Sequence, residues 1–126
     1  MRINQVTFDC ADPTALAGFW GMVTGFTADP SDPNDPGDDE AWITHPADAG
    51  PALFFQRVPE GKTVKNRLHF DVRPTDGTRD EEVDRILQLG ATMVDDRRNP
   101  DGTGWAVLAD PEGNEFCVER SDAERA

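Results

Sequence analysis

The sequence predicts an α+β fold built from two βαβββ modules. Strand and helix patterns follow the same order in both halves, aromatic and glycine positions match between the halves, and the predicted strands alternate apolar and polar residues. A chain of 126 residues suits one domain. We therefore expect a single domain over 1–126, with module one at about 3–60 and module two at about 66–120.

Each module begins with a strand that is followed by a helix. Residues 3–10 alternate like a half-buried strand, and Asp12 and Pro13 then supply an N-cap and a proline for the first helical turn, with Gly25 at the end. Residues 67–73 predict the second of these strands, and the helix after it begins with an acidic turn and ends before a glycine.

Three short extended stretches follow each helix. They lie near 26–29, 41–45 and 52–58 in module one and near 91–97, 105–109 and 115–120 in module two. The matched pairs between modules are Trp42 with Trp105, Gly50 with Gly113, Phe54 with Cys117 and Gln5 with His69. This register predicts which residues of the two modules are structurally equivalent.

Strand alternation assigns each residue to one face of its sheet. The apolar face, expected beneath Leu16, Trp20, Val83 and Ile86, comprises Val6, Phe8, Cys10, Leu53, Phe55, Leu68, Phe70, Val72, Phe116 and Val118. The polar face comprises Gln5, Thr7, Asp9, Phe54, Gln56, His69, Asp71, Cys117 and Glu119. With Trp42 and Trp105 as apolar walls, the polar face has the composition of a small-molecule pocket. The alternative is a sheet face exposed to solvent.

The charge and the apolar pattern exclude several classes of partner. The net charge is −13 and the isoelectric point is near 4.3, which argues against binding to nucleic acids or anionic membranes. No apolar run approaches the ~18 residues that span a bilayer, and the N-terminus lacks a signal-peptide pattern. We expect a soluble, cytoplasmic protein. Cys10 and Cys117, on opposite strand faces, are expected to be thiols rather than a disulfide.

Three segments lie outside the repeat pattern. Residues 29–40, rich in proline and aspartate, predict a mobile acidic loop, with a calcium site as the alternative. The polar tail 121–126 is expected to fray. Lys62, Lys65 and Arg67 form a basic island that indicates either a solvated linker or capture of a carboxylate or phosphate at a cleft rim.

Four motifs carry a family resemblance over roughly residues 3–120: DCADP-x4-FW, KNRLHFDV, LGATMV and DPEGNEFCVE. Together they resemble the glyoxalase/bleomycin-resistance/dioxygenase superfamily, also called vicinal oxygen chelate proteins, and its glyoxalase-like branch. The resemblance implies two βαβββ modules that form a curved mixed sheet around a cleft, with the helices on the convex face. It also implies a homodimer.

Relatives that use a metal bind a divalent ion through pseudo-symmetric strand residues. The resemblance places Gln5, His69, Cys117 and Phe54 at those positions, and a shift of two residues would instead bring Glu119 and Gln56 there. Because Phe54 cannot coordinate an ion, we expect no cofactor and no metal-dependent glyoxalase I activity. If a divalent metal is present, its ligands would be Gln5 and His69 with Cys117 or Glu119.

Two functions remain open from the sequence. The first is a protein that binds a small molecule in the cleft, as bleomycin-resistance relatives do, through Gln5, Thr7, Trp42, Phe54, Gln56, Trp105 and Cys117. The second is a lyase, isomerase or oxygenase of a small metabolite, either metal-dependent or using His69 with Glu119 or Asp71 as acid–base groups. A fold alone does not decide between them.

Overall fold

A computed structural model of the chain describes residues 1–126. The elements are β1 (Gln5–Cys10), α1 (Pro13–Thr24), β2 (Glu40–Ile43), β3 (Ala52–Arg57), β4 (Asp71–Val72), α2 (Arg79–Gln88), β5 (Thr92–Arg98), β6 (Gly104–Ala109), β7 (Glu115–Val118) and α3 (Asp122–Arg125). They form two compact units, Met1–Gly61 and Lys62–Ala126. The predicted α+β class is confirmed, and no helix has the length and apolar character needed to cross a membrane.

The first unit packs α1 against one face of a three-stranded sheet. The strand order is β1-β3-β2, with β1 parallel and β2 antiparallel to β3. Phe8 stacks on Phe55 with 5.1 Å between ring centroids, and its ring centroid lies 5.5 Å from that of Trp20. Trp20 and Leu16 are both 1% exposed. The predicted apolar face of this sheet is therefore confirmed for these residues.

The bounds of α1 follow the sequence signals. The side chain of Asp12 accepts a hydrogen bond of 3.2 Å from the backbone N–H of Ala15, and Gly25 ends the helix at φ 81°. The extended stretch expected at 26–29 does not form a strand. It is reduced to isolated bridges, including one between Thr27 and Thr44.

Hydrogen bonds tie the acidic loop 29–40 to the strands of the first unit. The Asn34 side chain donates to the Trp42 carbonyl at 2.9 Å and accepts from the Trp42 N–H at 3.1 Å. Arg57 forms an ion pair of 3.1 Å with Asp39. The loop is therefore anchored in its middle at Asn34 and near its end at Asp39, while its mobility stays a prediction.

The second unit packs α2 against a four-stranded sheet of order β4-β7-β6-β5. Phe116 is 1% exposed and Val118, Val83 and Ile86 are fully buried. The predicted apolar face is confirmed at these positions. The helix begins with a capping box between Thr78 and the third helical residue, a signal that the acidic first turn alone did not reveal.

The strand predicted over 67–73 is wrong for most of its length. Only Asp71 and Val72 form β4, and Leu68 is 78% exposed rather than buried on the apolar face. Side-chain bonds hold the preceding segment instead. Asn66 Oδ1 accepts from the Glu115 N–H at 3.0 Å, and the Asn66 N–H donates to Glu115 Oε2 at 3.1 Å. These bonds fix the segment beside β7 without a backbone ladder.

The C-terminal tail is folded, contrary to the expectation that it frays. It forms α3, whose first turn is capped reciprocally by Ser121 and Glu124. Ser121 is 4% exposed, and Glu124 Oε2 also accepts from the backbone N–H of Arg79 at 2.9 Å. The polar residues of the tail thus accept hydrogen bonds from backbone N–H groups at the start of α2 as well as at the start of their own helix.

Arg79 connects the start of α2 to the turn between β5 and β6. Its side chain is 5% exposed and Nη1 donates to the carbonyl oxygens of Gly102, Thr103 and Gly104 at 3.1, 2.9 and 2.9 Å. Asp80 balances the charge at 2.9 Å. A buried guanidinium with this many partners fixes the hairpin formed by β5 and β6.

Candidate functional site

The polar face of the second sheet presents a row of aligned side chains. Cys117 on β7 pairs with Asp71 on β4 and with Val107 on β6, and Val107 pairs in turn with Asp95 on β5. Paired residues of neighbouring strands point to the same side of a sheet. The row therefore crosses the whole sheet on the face opposite α2.

A cavity of about 600 Å³ lies over this row. It is lined by Lys65, His69, Val94, Asp95, Arg97, Trp105, Val107, Glu115, Phe116 and Cys117. Three of the predicted site residues, His69, Trp105 and Cys117, are brought together here. The residues of β5 were missed, because its sequence TMVDDRR shows no apolar–polar alternation that would assign them to a face.

A β-bulge turns an additional apolar side chain into the cavity. Met93 pairs with Leu108 and Asp95 with Val107, so Val94 has no partner of its own across the β5–β6 ladder. A bulged strand presents two successive residues on one side. Val94 consequently lines the cavity beside Asp95, with 52% of its surface exposed.

His69, Asp71 and Cys117 form the cluster of metal-ligating side chains in the chain. One donor atom from each lies within 4.8 Å of the other two. His69 Nδ1 is 3.2 Å from Asp71 Oδ1. The sequence predicts Asp71 on the polar face and as an acid–base partner of His69, and the family resemblance does not place it among the metal ligands. The register with Cys117 is what brings its carboxylate to the cluster.

The thiol of Cys117 is protonated at neutral pH. Burial raises its pKa, the carboxylate of Asp71 adds to the rise, and the Lys65 ammonium acts in the opposite direction, leaving the pKa at about 11. A thiol with a raised pKa is a poor nucleophile. The cluster therefore does not favour covalent catalysis through this cysteine. Neither cysteine of the chain forms a disulfide, as predicted.

Glu119 lies outside this cluster. Its carboxylate accepts from Arg73 Nη2 at 3.0 Å, and Arg73 Nη1 donates to Asp122 at 2.8 Å. These bonds raise the pKa of the Arg73 guanidinium. Of the two carboxylates proposed as partners of His69, Asp71 is the one in contact with it.

The predicted site residues of module one lie on the polar face of the first sheet. Thr7 and Trp42 both pair with Phe54, and the row beside them contains Asp9, Gln56 and Glu40. Gln5 pairs with Ala52 on β3. A cavity of about 440 Å³ on this unit is lined by Asp32, Pro33, Asn34, Asp38, Asp39, Glu40, Ala41, Trp42 and Phe54. That the site residues of both modules share one cavity stays a prediction.

The proposed equivalence of Trp42 and Trp105 is wrong by two residues. Trp42 pairs with Phe54, whereas the residue that pairs with Cys117 is Val107. The connection from β6 to β7 is shorter than the one from β2 to β3, which shifts the hairpin register. Since the shift is even, Trp105 still points to the polar face.

Residues 5–119 of the chain match the family described as the glyoxalase-like domain. The chain belongs to the glyoxalase-like domain family. The match spans both predicted modules and confirms the resemblance that the four sequence motifs indicated. No protein of curated function matches the sequence of this glyoxalase-like domain.

Solved structures with the same fold come from several bacteria. A glyoxalase/bleomycin resistance protein/dioxygenase family enzyme from Burkholderia phytofirmans PsJN has a TM-score of 0.69 and 22% identity, covering 94% of this chain and 97% of that one. TioX from Micromonospora sp. ML1 has a TM-score of 0.60 and 21% identity over 95% and 98% of the chains. At these identities the likeness establishes the fold.

A mutant of the fosfomycin resistance protein FosX from Listeria monocytogenes has a TM-score of 0.67 and 16% identity, covering 98% of this chain and 92% of that one. Its structure is a complex with Mn(II) and 1S,2S-dihydroxypropylphosphonic acid. The three candidate metal-binding side chains of this protein offer a different set of donor atoms from the set that manganese prefers. Nitrogen, carboxylate oxygen and sulfur from His69, Asp71 and Cys117 fit a borderline ion such as zinc, because manganese favours oxygen-rich sites.

Proposed function

We propose that the cavity of the second unit binds a small, largely apolar molecule. The observation that carries this proposal is the lining itself, which combines a tryptophan and two valines with a histidine, a thiol and charged groups in about 600 Å³. Small-molecule sites are concave, mostly apolar and supplied with a few polar groups that set orientation.

The exposure of the apolar wall supports the same proposal. Trp105 is 44% exposed and Val94 is 52% exposed, and both line the cavity. The β-bulge that presents Val94 interrupts the ladder between two strands. Bulges of this kind occur next to functional sites, where they redirect a side chain. A bound molecule would remove both side chains from water.

Isothermal titration calorimetry with 2-naphthamide, a neutral planar probe, tests the proposal. We expect binding to the wild-type protein and a loss of about tenfold or more in affinity for Trp105→Ala, since the indole supplies much of the apolar contact. Val64→Ala removes an apolar side chain that is 73% exposed but does not line the cavity. This control is expected to bind the probe normally. No binding, or equal losses in both variants, would contradict the proposal.

The donor cluster favours a second candidate, a metal-dependent lyase, isomerase or oxygenase. His69, Asp71 and Cys117 would hold the ion. A bound divalent ion supplies Lewis acidity that polarises a substrate oxygen. Without an ion, the imidazole of His69 and the carboxylate of Asp71, 3.2 Å apart, remain a pair suited to acid–base chemistry. The proposed homodimer and cytoplasmic location stay predictions.

Cobalt(II) titration of the purified protein tests the metal candidate. We expect one equivalent of ion to bind with a sulfur-to-cobalt charge-transfer band in the near ultraviolet, because coordination deprotonates the thiol. Cys117→Ser should abolish this band, and Asp71→Asn should weaken binding by about tenfold or more. The matched control is Cys10→Ala, which removes the other thiol and should keep the band. A band that persists in Cys117→Ser would refute this ligand set.

A further inference from the structure

Lys65 has no carboxylate partner, whereas the other basic side chains around the cavity, Lys62 and Arg97, each form an ion pair. Arg97 Nε lies 2.6 Å from Asp95 Oδ2, and Lys62 Nζ lies 3.0 Å from Glu115 Oε2. Lys65 forms no ion pair within 4.0 Å although its side chain lines the cavity. The ammonium of Lys65 is therefore available to a bound molecule.

The other two residues of the basic island, Lys62 and Arg67, do not line the cavity. Lys62 neutralises Glu115 and does not line the cavity. Arg67 is exposed and is also absent from the lining. The two interpretations of this island, a solvated linker and an anion-capturing rim, thus apply to different residues. Only Lys65 lies where it can contact a ligand over Trp105.

We propose that Lys65 selects planar apolar molecules carrying a single carboxylate, with the planar part against Trp105 and the carboxylate at the ammonium. This inference rests on the proposed function of the cavity and adds the chemical class of its ligand. A charge-assisted hydrogen bond to an ammonium orients the molecule. The apolar wall of Trp105, Val107 and Val94 binds its other end.

The surrounding charges favour one negative charge on the ligand over two. Asp71, Asp95 and Glu115 lie in or beside the cavity, and each already lies within ion-pair distance of a basic side chain. A monoanion can be balanced by Lys65 alone. A phosphate dianion would bring a second charge toward three carboxylates in a protein of net charge −13. A cationic ligand would be repelled by the unpaired ammonium of Lys65.

Affinities for 2-naphthoate, 2-naphthamide and 2-naphthyl phosphate, measured by calorimetry at low salt, test the selection. The wild-type protein should bind 2-naphthoate about tenfold more tightly than the isosteric amide, which corresponds to one charge-assisted contact at a partly solvated site. The phosphate ester should bind more weakly than the carboxylate. Added salt should reduce the preference for the carboxylate.

Matched variants separate a contact at Lys65 from a general charge effect. Lys65→Gln should abolish the preference for 2-naphthoate while leaving 2-naphthamide affinity unchanged, and Lys65→Arg should retain most of it. Arg67→Gln makes the same change of charge in the same segment, outside the cavity, and should bind both probes as the wild type does. If 2-naphthamide binds but the carboxylate is not preferred, or the phosphate binds more tightly, the selection is wrong and the binding function stands. If neither probe binds, both proposals fail.

Discussion

Replacing Phe116 with alanine is expected to lower the free energy of unfolding by about 3–5 kcal/mol. The ring is 1% exposed on β7, the central strand that joins β4 to β6. It lies on the sheet face covered by α2, where Val83 and Ile86 are fully buried. Truncation removes apolar contact and leaves a cavity that fixed strands on both sides cannot close.

Urea denaturation followed by circular dichroism measures this loss. Phe54→Ala serves as the control, since it removes the same ring from a half-buried position on the polar face of the other sheet. Its cost should be less than half that of Phe116→Ala, because less apolar surface returns to water. Equal costs would show that the assignment of buried and open sheet faces is wrong.

Strand alternation predicted the faces of both sheets well because burial imposes a strict period of two on a half-buried strand. Phe8, Phe55, Phe116 and Val118 all lie toward the helices as expected. The same rule failed at Leu68, where the residues alternate but no backbone ladder forms. Alternation describes which way a strand residue points, and it does not establish that neighbouring strands pair.

Hairpin register could not be predicted from matched residues alone. Trp42 and Trp105 align without gaps in the sequence, yet the lengths of the two hairpin connections displace them by two positions. The bulge at Val94 could not be predicted either, because the sequence around this additional residue has no composition typical of a bulge. Registers and bulges depend on both partners of a ladder, whereas a sequence pattern reports on one strand.

Only some residues of the candidate site could be predicted from the sequence, because the others depend on how the strands pair. Trp105 and Cys117 follow from alternation along their own strands, whereas His69 precedes β4, and the structure places all three around one cavity. Asp71 as a third donor follows only from its pairing with Cys117. The separate roles of Lys62 and Lys65 depend on where Glu115 lies, which no local pattern contains.

Gly104→Ala is expected to lower the free energy of unfolding by about 3 kcal/mol or more, in addition to removing ligand binding. Gly104 has φ 87°, a left-handed conformation that costs side-chain-bearing residues about 1–2 kcal/mol. A Cβ at this position would also overlap the carbonyl oxygen of Arg97 and lie 3.2 Å from the Cα of Arg98. Because both neighbours are backbone atoms of the paired strand, no side-chain rotation can relieve the overlap.

Gly102→Ala isolates the contribution of this close approach. Gly102 has φ 90° in the same turn, but nothing lies within 4 Å of a Cβ built there, so only the conformational cost of about 1–2 kcal/mol applies. The carbonyl oxygens of both glycines accept hydrogen bonds from Arg79 Nη1, which keeps the anchoring of the turn equal in the two variants. Urea denaturation should therefore rank Gly104→Ala well below Gly102→Ala in stability.

Calorimetry with 2-naphthamide at low temperature, where both variants remain folded, should show that binding is lost only in Gly104→Ala. The distortion in this variant falls between Arg97 and Trp105 on the cavity wall. Equal stability of the two variants would mean that β5 and β6 are not paired as described.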